Sequence, residues 1–263
     1  MRVKIGAQVR PQHVDFDAMR RAWRDIEALG VDSVFTWDHF FPLSGEPGGN
    51  HFEGTATMAS LAETTERAEI GALVCCNSYR NPELLADVHR TIDHIAGGRV
   101  ILGIGAGWFE RDYHEYGYEF GTKGSRLRAL EAALPRIRAR LHKLVPPPVR
   151  AMPILIGGGG PKVTLRLVAE YADAWHAFGD AETFREKDGI LSEHCARAGR
   201  DPDTIERTWG APKDAAQADD LVAAGVQHLI LGVDGSGSSY DLGALRELVA
   251  WRDARPAAAD GAS

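Results

Sequence analysis

Apolar and polar positions along the chain repeat one phrase eight times: a short apolar run, a Gly- or Asn-rich turn, then an amphipathic stretch with helical spacing. The apolar runs fall at residues 3–9, 31–37, 70–75, 100–104, 153–156, 174–178, 205–209 and 226–233, the seventh being the least regular. The helical stretches fall at 15–29, 55–66, 82–96, 125–144, 162–171, 182–198, 215–224 and 242–252. Strands alternating with helices predict parallel pairing through crossover helices. Runs that are apolar throughout predict strands covered on both faces. Eight such units in about 250 residues predict an α/β fold, a closed (β/α)8 TIM barrel, with a doubly wound open sheet as the competing arrangement. No linker divides the chain, so residues 1–255 read as one barrel domain, and 256–263, without a core-forming pattern, as a frayed tail. The Pro146-Pro147-Pro148 run ends the fourth helix.

Composition narrows the function classes. The 263 residues are 44% hydrophobic and 25% charged, which is ordinary for a folded soluble protein and unlike a disordered chain. No apolar run approaches the roughly 20 residues of a membrane helix, and the N-terminal segment lacks a signal-peptide core. A formal charge of −7 argues against a general nucleic-acid binder while leaving room for a local basic groove. Cys75, Cys76 and Cys195 make no disulfide framework, and adjacent Cys75 and Cys76 lack zinc-site spacing. A cytoplasmic protein with a small-molecule substrate, no membrane and no nucleic acid is expected.

In a barrel the chemistry sits at the C-terminal ends of the strands. Those positions hold Gln8 and Arg10, Asp38 and His39, Cys75, Cys76 and Asn77, Gly105-Ala106-Gly107, Gly157 to Gly160, His176, Gly232 and Asp234. The set is rich in glycine and poor in acids, with no convergent His and carboxylate cluster for a metal. Gly157-Gly158-Gly159-Gly160-Pro161-Lys162 follows a strand and opens a helix, so its backbone amides and the helix dipole suit a phosphate. It is not a P-loop, because the Gly-x-x-x-x-Gly-Lys-Ser/Thr pattern is absent. Gly103-Ile104-Gly105-Ala106-Gly107-Trp108 resembles a dinucleotide fingerprint but reads as the wall for a flat ring, since residues 108–124 read as a loop.

His39, at the exit of the second strand, is a candidate acid/base or ring-contacting group, and Asp38 beside it is placed to ligate, cap, or fix the imidazole tautomer. Glu53 begins a helix and suits its positive end. Glu110 and Arg111 read as solvated surface, and Cys75 and Cys76 as small packing residues rather than nucleophiles. The loops 41–50 and 109–123 exceed the usual βα connection and are expected to form the substrate end of the pocket, with Trp108, Phe109, Tyr113 and Tyr116 as aromatic surface.

With these residues the sequence resembles the bacterial luciferase-like flavin and deazaflavin oxidoreductases, in particular the actinobacterial branch that uses coenzyme F420, a deazaflavin. The resemblance is carried by Val34-Phe35-Thr36-Trp37-Asp38-His39-Phe40-Phe41-Pro42, by Tyr79-Arg80-Asn81-Pro82-Glu83-Leu84-Leu85-Ala86, and by Gly97-Gly98-Arg99 running into the strand that ends at Gly105-Ala106-Gly107-Trp108. Pro153-Ile154-Leu155-Ile156 before the four glycines and Tyr171-Ala172-Asp173-Ala174-Trp175 complete it, so it covers essentially the whole chain in order.

It implies a (β/α)8 barrel and a homodimer. It also implies His39 as the catalytic residue facing the ring, and a non-proline cis peptide somewhere within residues 73–76. The implied cofactor contacts are Asp38, His39, Val74, Cys75, Asn77, Gly105, Ala106 and Gly107, with Gly158, Gly159 and Gly160 on the phosphate. Glu53, Trp108, Phe109 and His176 are the candidate substrate contacts.

Two departures matter. The connection before the fifth strand, residues 143–152, is shorter than in many relatives. Trp108 also stands where sugar-phosphate dehydrogenases of the family carry an acid, which puts a glucose-6-phosphate reaction in doubt. The resemblance thus implies an F420-dependent oxidoreductase moving a hydride to or from a small organic substrate. An FMN-dependent monooxygenase and a non-catalytic deazaflavin-binding protein are the alternatives.

Overall fold

The computed structural model describes residues 2–210 and 214–255. Its strands β1 (Lys4–Val9), β2 (Ser33–Thr36), β3 (Glu69–Ala72), β4 (Cys75–Cys76), β5 (Val100–Gly105), β6 (Ile154–Gly157), β7 (Ala174–Ala177), β8 (Glu206–Gly210) and β9 (His228–Val233) form one sheet, parallel throughout. The sheet closes on itself: β9 returns to β1, with Lys4 opposite His228 and Val9 opposite Val233. Both β3 and β4 pair with β5, so they are two pieces of one stave in an eight-stranded (β/α)8 barrel. The seventh apolar run, the least regular in sequence, is β8, paired to neighbours on both sides.

Helices α1 (Phe16–Ala28), α2 (Gly54–Thr64), α3 (Pro82–Ile95), α4 (Glu110–Tyr116), α5 (Lys123–Lys143), α6 (Thr164–Tyr171), α7 (Ala181–Ala198), α8 (Ala215–Ala224) and α9 (Gly243–Asp253) connect the strands. Local chemistry fixes their starts. Asn81 Oδ1 accepts from the amides of Glu83 and Leu84 ahead of Pro82, and Thr122 with Ser125 forms a capping box. A hairpin of β10 (Gly235–Ser236) and β11 (Ser239–Tyr240) was not anticipated; it places the Tyr240 hydroxyl 2.7 Å from the Arg10 carbonyl. The tail 256–263, read from sequence as frayed, lies outside the described residues.

One expectation is met and one is corrected. The third run breaks between β3 and β4, where the Leu73–Val74 peptide is cis, which places the expected bond within residues 73–76. The segment 108–124, read as a loop, contains α4.

Alternation along the strands sorts side chains to the two faces. Phe35, Leu73, Ile101, Leu155, Ala174 and Ile230 fill the barrel interior. A larger cluster between barrel and helices includes Trp23, Trp175, Phe184 and Trp209. Close approach of backbones explains one glycine: a Cβ on Gly103 would lie 2.1 Å from the Ala72 carbonyl oxygen.

At the opposite end of the barrel from the strand exits, Glu206 lies 3.0 Å from Lys4 Nζ and 3.4 Å from His228 Nδ1. Burial alone would raise the Glu206 carboxyl, but His228 and Lys4 outweigh it and hold it at about 2. A depressed acid contributes stability above its ordinary value of 4.5 and loses it as pH falls toward 2. Denaturant unfolding between pH 5 and 2 should therefore show a flatter acid limb for Glu206→Gln than for the parent chain. Superimposable limbs would remove this carboxylate from the acid-lability of the fold.

Candidate active site

The strand exits surround a cavity of about 730 Å³. That size suits a cofactor-sized ligand. His39, Trp37, Leu43 and Trp108 line one part of it; Val74, Gly105 to Gly107, Gly157 to Gly160, Thr164, His176 and Phe178 line another.

His39 follows β2. Its Nδ1 lies 2.7 Å from Oδ2 of Asp112, a fully buried side chain on α4. The Tyr79 hydroxyl donates to the same oxygen at 2.8 Å, and the Phe40 amide donates to Oδ1 at 3.1 Å. Facing a carboxylate oxygen, an acceptor, the imidazole carries its hydrogen on Nδ1. Nε2 of neutral His39 is then a proton acceptor. Trp37, Trp108 and Phe109 meet the ring edge-on, with centroids 5.7, 5.8 and 5.5 Å away, so His39 sits in an aromatic enclosure.

Asp38 does not fix the His39 tautomer. Its Oδ2 accepts from Arg80 Nη1 at 2.7 Å and from the Cys76 amide at 3.0 Å, and Oδ1 accepts from Arg80 Nη2 at 2.9 Å. Arg80 also bonds Glu53. Burial would lower the Arg80 guanidinium, but the Asp38 charge outweighs it and raises it. Asp38 thereby ties β4 to the end of β2, although it also borders the cavity. Glu53 caps α2, accepting from the Ala56 amide at 2.7 Å, and is absent from the cavity wall. Asn77 is likewise outside the wall: it is buried, and its amide donates to the Gly105 carbonyl at 3.0 Å.

Val74 follows the cis peptide, whose Leu73 carbonyl accepts from Gln8 Nε2. A Cβ on Gly105 or Gly157 would lie 2.8 or 3.0 Å from a Val74 methyl, so these two glycines make room for it. Gly107, with φ of +83°, has no space for a side chain, because a Cβ would meet Tyr113 Oη at 2.0 Å and Cys76 Sγ at 2.5 Å. Burial pushes the Cys75 and Cys76 thiols above their ordinary values, which suits packing rather than nucleophilic chemistry.

The four-glycine turn needs one correction. The Gly158 amide donates to the His176 carbonyl at 2.8 Å, so it is not a free anion donor. The amides of Gly159 and Gly160 have no acceptor among the described residues, and α6 begins just beyond at Thr164. Cβ atoms at Gly160 and Gly159 would meet Thr164 Oγ1 at 2.8 Å and the Lys187 chain at 3.0 Å. Free amides, a helix N-terminus, a hydroxyl and a lysine in one place fit a phosphate. Lys123 and Arg126 add positive charge to the cavity wall, and Arg126 Nε donates to the Gly107 carbonyl at 3.1 Å. Among the described residues no group of His, Cys, Asp and Glu is arranged to hold a metal ion.

Trp108 borders the cavity and is 63% exposed, whereas Phe109 touches His39 but lies outside the wall. The long loops meet: Arg111 Nη1 donates to the Pro47 carbonyl at 2.8 Å and stacks on Phe41. Asp112 was missed in sequence. Its signal lay in helical pairs at i,i+4 spacing, Glu110 with His114 and Arg111 with Glu115, before Gly117 in the left-handed region.

The sequence matches the luciferase-like monooxygenase family over residues 1–260. The chain belongs to that family. An F420-dependent glucose-6-phosphate dehydrogenase of Amycolatopsis mediterranei (strain U-32) is 31% identical over 163 residues, covering 56% of this chain and 47% of that protein. The chain thus spans about half the length of that curated relative.

Among solved structures, an F420-dependent secondary alcohol dehydrogenase in complex with an F420–acetone adduct superposes with a TM-score of 0.83 at 18% identity, covering 95% of this chain and 98% of that one. The coenzyme F420-dependent tetrahydromethanopterin reductase of Methanopyrus kandleri does so with a TM-score of 0.75 at 15% identity, with the same coverage. At these identities the superpositions speak for the fold.

Proposed function

We propose that the chain is an F420-dependent oxidoreductase that moves a hydride between the deazaflavin and a small organic substrate. The observation that carries this reading is one cavity holding both a phosphate cradle at Gly159, Gly160 and Thr164 and a histidine with a fixed tautomer, His39. The glycine-walled side, with Val74 behind it, has room for a flat ring. The basic side chains Lys123 and Arg126 suit an anionic cofactor, and the aromatic enclosure around His39 suits an uncharged substrate end.

Bound F420 supplies the hydride chemistry. The protein supplies orientation and proton control: His39 takes the substrate hydroxyl proton at Nε2 in one direction and returns it to the oxygen in the other. Asp112 stabilises the imidazolium formed between those events, and Trp37, Trp108 and Phe109 keep water from the ring. The same reading takes residues 1–255 as one catalytic domain, working as a homodimer in the cytoplasm. Three free, buried cysteines suit that reducing compartment.

The family name favours a second reading, an FMN-dependent monooxygenase. Fluorescence titration of the purified chain separates them: F420 should bind at least tenfold more tightly than FMN, and the complex should exchange hydride with a secondary alcohol or ketone. Tighter FMN binding with oxygen uptake on reduction would replace our reading with the monooxygenase.

A further inference from the structure

His176 is a buried residue of β7 with an unusually well-defined protonation pattern. Strand alternation puts it on the interior face with Ala174 and sends Trp175 outward. Thr208 Oγ1 donates its single hydrogen to the Trp175 carbonyl at 3.0 Å, so toward His176 Nδ1, 2.9 Å away, it acts as acceptor. The imidazole hydrogen is therefore on Nδ1, and Nε2 carries a lone pair. Burial, with His228 nearby, keeps the ring neutral by pushing its pKa down to about 3. Nε2 is buried and has no partner among the described residues, although the ring forms part of the cavity wall. A buried acceptor without a donor is destabilising, and this one belongs to a ring on the cavity wall.

Its place in the wall says which donor fits. His176 is the cross-strand partner of Gly157, and its carbonyl accepts the Gly158 amide, so it lies directly beside the glycine turn. A cofactor with phosphate on Gly159 and Gly160 and its ring against Val74 must thread its linking chain past this position. In F420, as in FMN, that link is a polyol whose hydroxyls are hydrogen-bond donors. We propose that His176 Nε2 accepts a hydrogen bond from a polyol hydroxyl of the bound cofactor, with Thr208 positioning the tautomer that makes this possible. This inference rests on the F420 reading above.

The test compares F420 with the hydroxy-deazaflavin ring carrying a methyl group in place of the polyol, using fluorescence titration of the full chain. His176→Phe should weaken F420 about tenfold, as for one lost hydrogen bond at a buried site, and leave the ring-only compound unchanged. Thr208→Val should produce a smaller loss of the same selectivity. Nitrogen NMR of the parent chain keeps the proposal testable should either variant misfold. Nδ1 should read as protonated and Nε2 as unprotonated, with the Nε2 resonance moving on addition of F420 but not of the ring-only compound.

Equal losses for both ligands, an unchanged F420 affinity in folded His176→Phe, or a protonated Nε2 would each overturn the polyol contact while leaving the F420 reading in place. Should the chain prefer FMN, the F420 reading falls, and FMN against lumiflavin tests the contact in the same way. A chain that binds neither cofactor overturns both.

Discussion

Asp112→Asn should lower kcat by about 10³- to 10⁴-fold, the scale of loss when an orienting carboxylate becomes an amide beside a catalytic histidine, while the F420 dissociation constant stays within about twofold. The reason is the direction of hydrogen bonds. Asp112 takes hydrogens from Tyr79, Phe40 and His39, and all three directions suit an acceptor-only group. An asparagine must turn its oxygen toward one set and its NH2 toward another. With the oxygen kept on the Phe40 amide, the NH2 faces both the Tyr79 hydroxyl and His39 Nδ1 and moves the ring hydrogen to Nε2, where a base is needed. The imidazolium also loses its counter-charge. Steady-state kinetics with separate cofactor titration decide the matter: a kcat within about tenfold of the parent would reduce Asp112 to a structural acid. Asp112→Glu, which keeps the charge, should recover part of the rate.

Asp112 also marks where the sequence stopped being readable. Barrel units are legible because each strand and helix buries a face at its own period, so the pattern is local. The four-glycine turn is legible for a similar reason, since backbone approach and positive φ leave few alternatives to glycine. A hydrogen bond across 73 residues has no local signature, and the neighbour of His39 in sequence, Asp38, was the nearer candidate. Successive residues at a strand exit point in different directions, which sends Asp38 down onto Arg80 and His39 across to α4. The short helix α4 escaped because seven residues with little apolar periodicity show only their charge pairs. The break between β3 and β4 was expected from resemblance alone; apolar patterning continues straight through Leu73 and Val74.

The strongest effect on stability is expected at Arg80. Arg80→Met should lower stability by about 3–5 kcal/mol, because it leaves the Asp38 carboxylate buried with the Cys76 amide as its remaining donor. For a chain of this size that corresponds to a fall in Tm of roughly 10 °C. The loss should not be a matter of charge pairing alone. Replacing both partners, Asp38→Leu with Arg80→Met, removes the uncompensated charge and should recover more than half of the deficit, since a buried ion pair is often matched by apolar groups of similar volume.

The double variant also separates two roles for Asp38. Should Asp38 act by holding β4 through the Cys76 amide, the double variant loses that anchor and weakens F420 through a displaced Val74 wall. The ring-only compound then suffers as much as the whole cofactor. Should Asp38 instead touch a polar group of the cofactor directly, Asp38→Asn, whose oxygen in the Oδ2 position still accepts from Arg80 Nη1 and the Cys76 amide, is the variant that loses affinity. Thermal unfolding of the single and double variants supplies the first comparison; a fall in Tm under about 3 °C for Arg80→Met would mean that water or a neighbouring donor reaches Asp38 and that the ion pair is not what holds the ring wall in place.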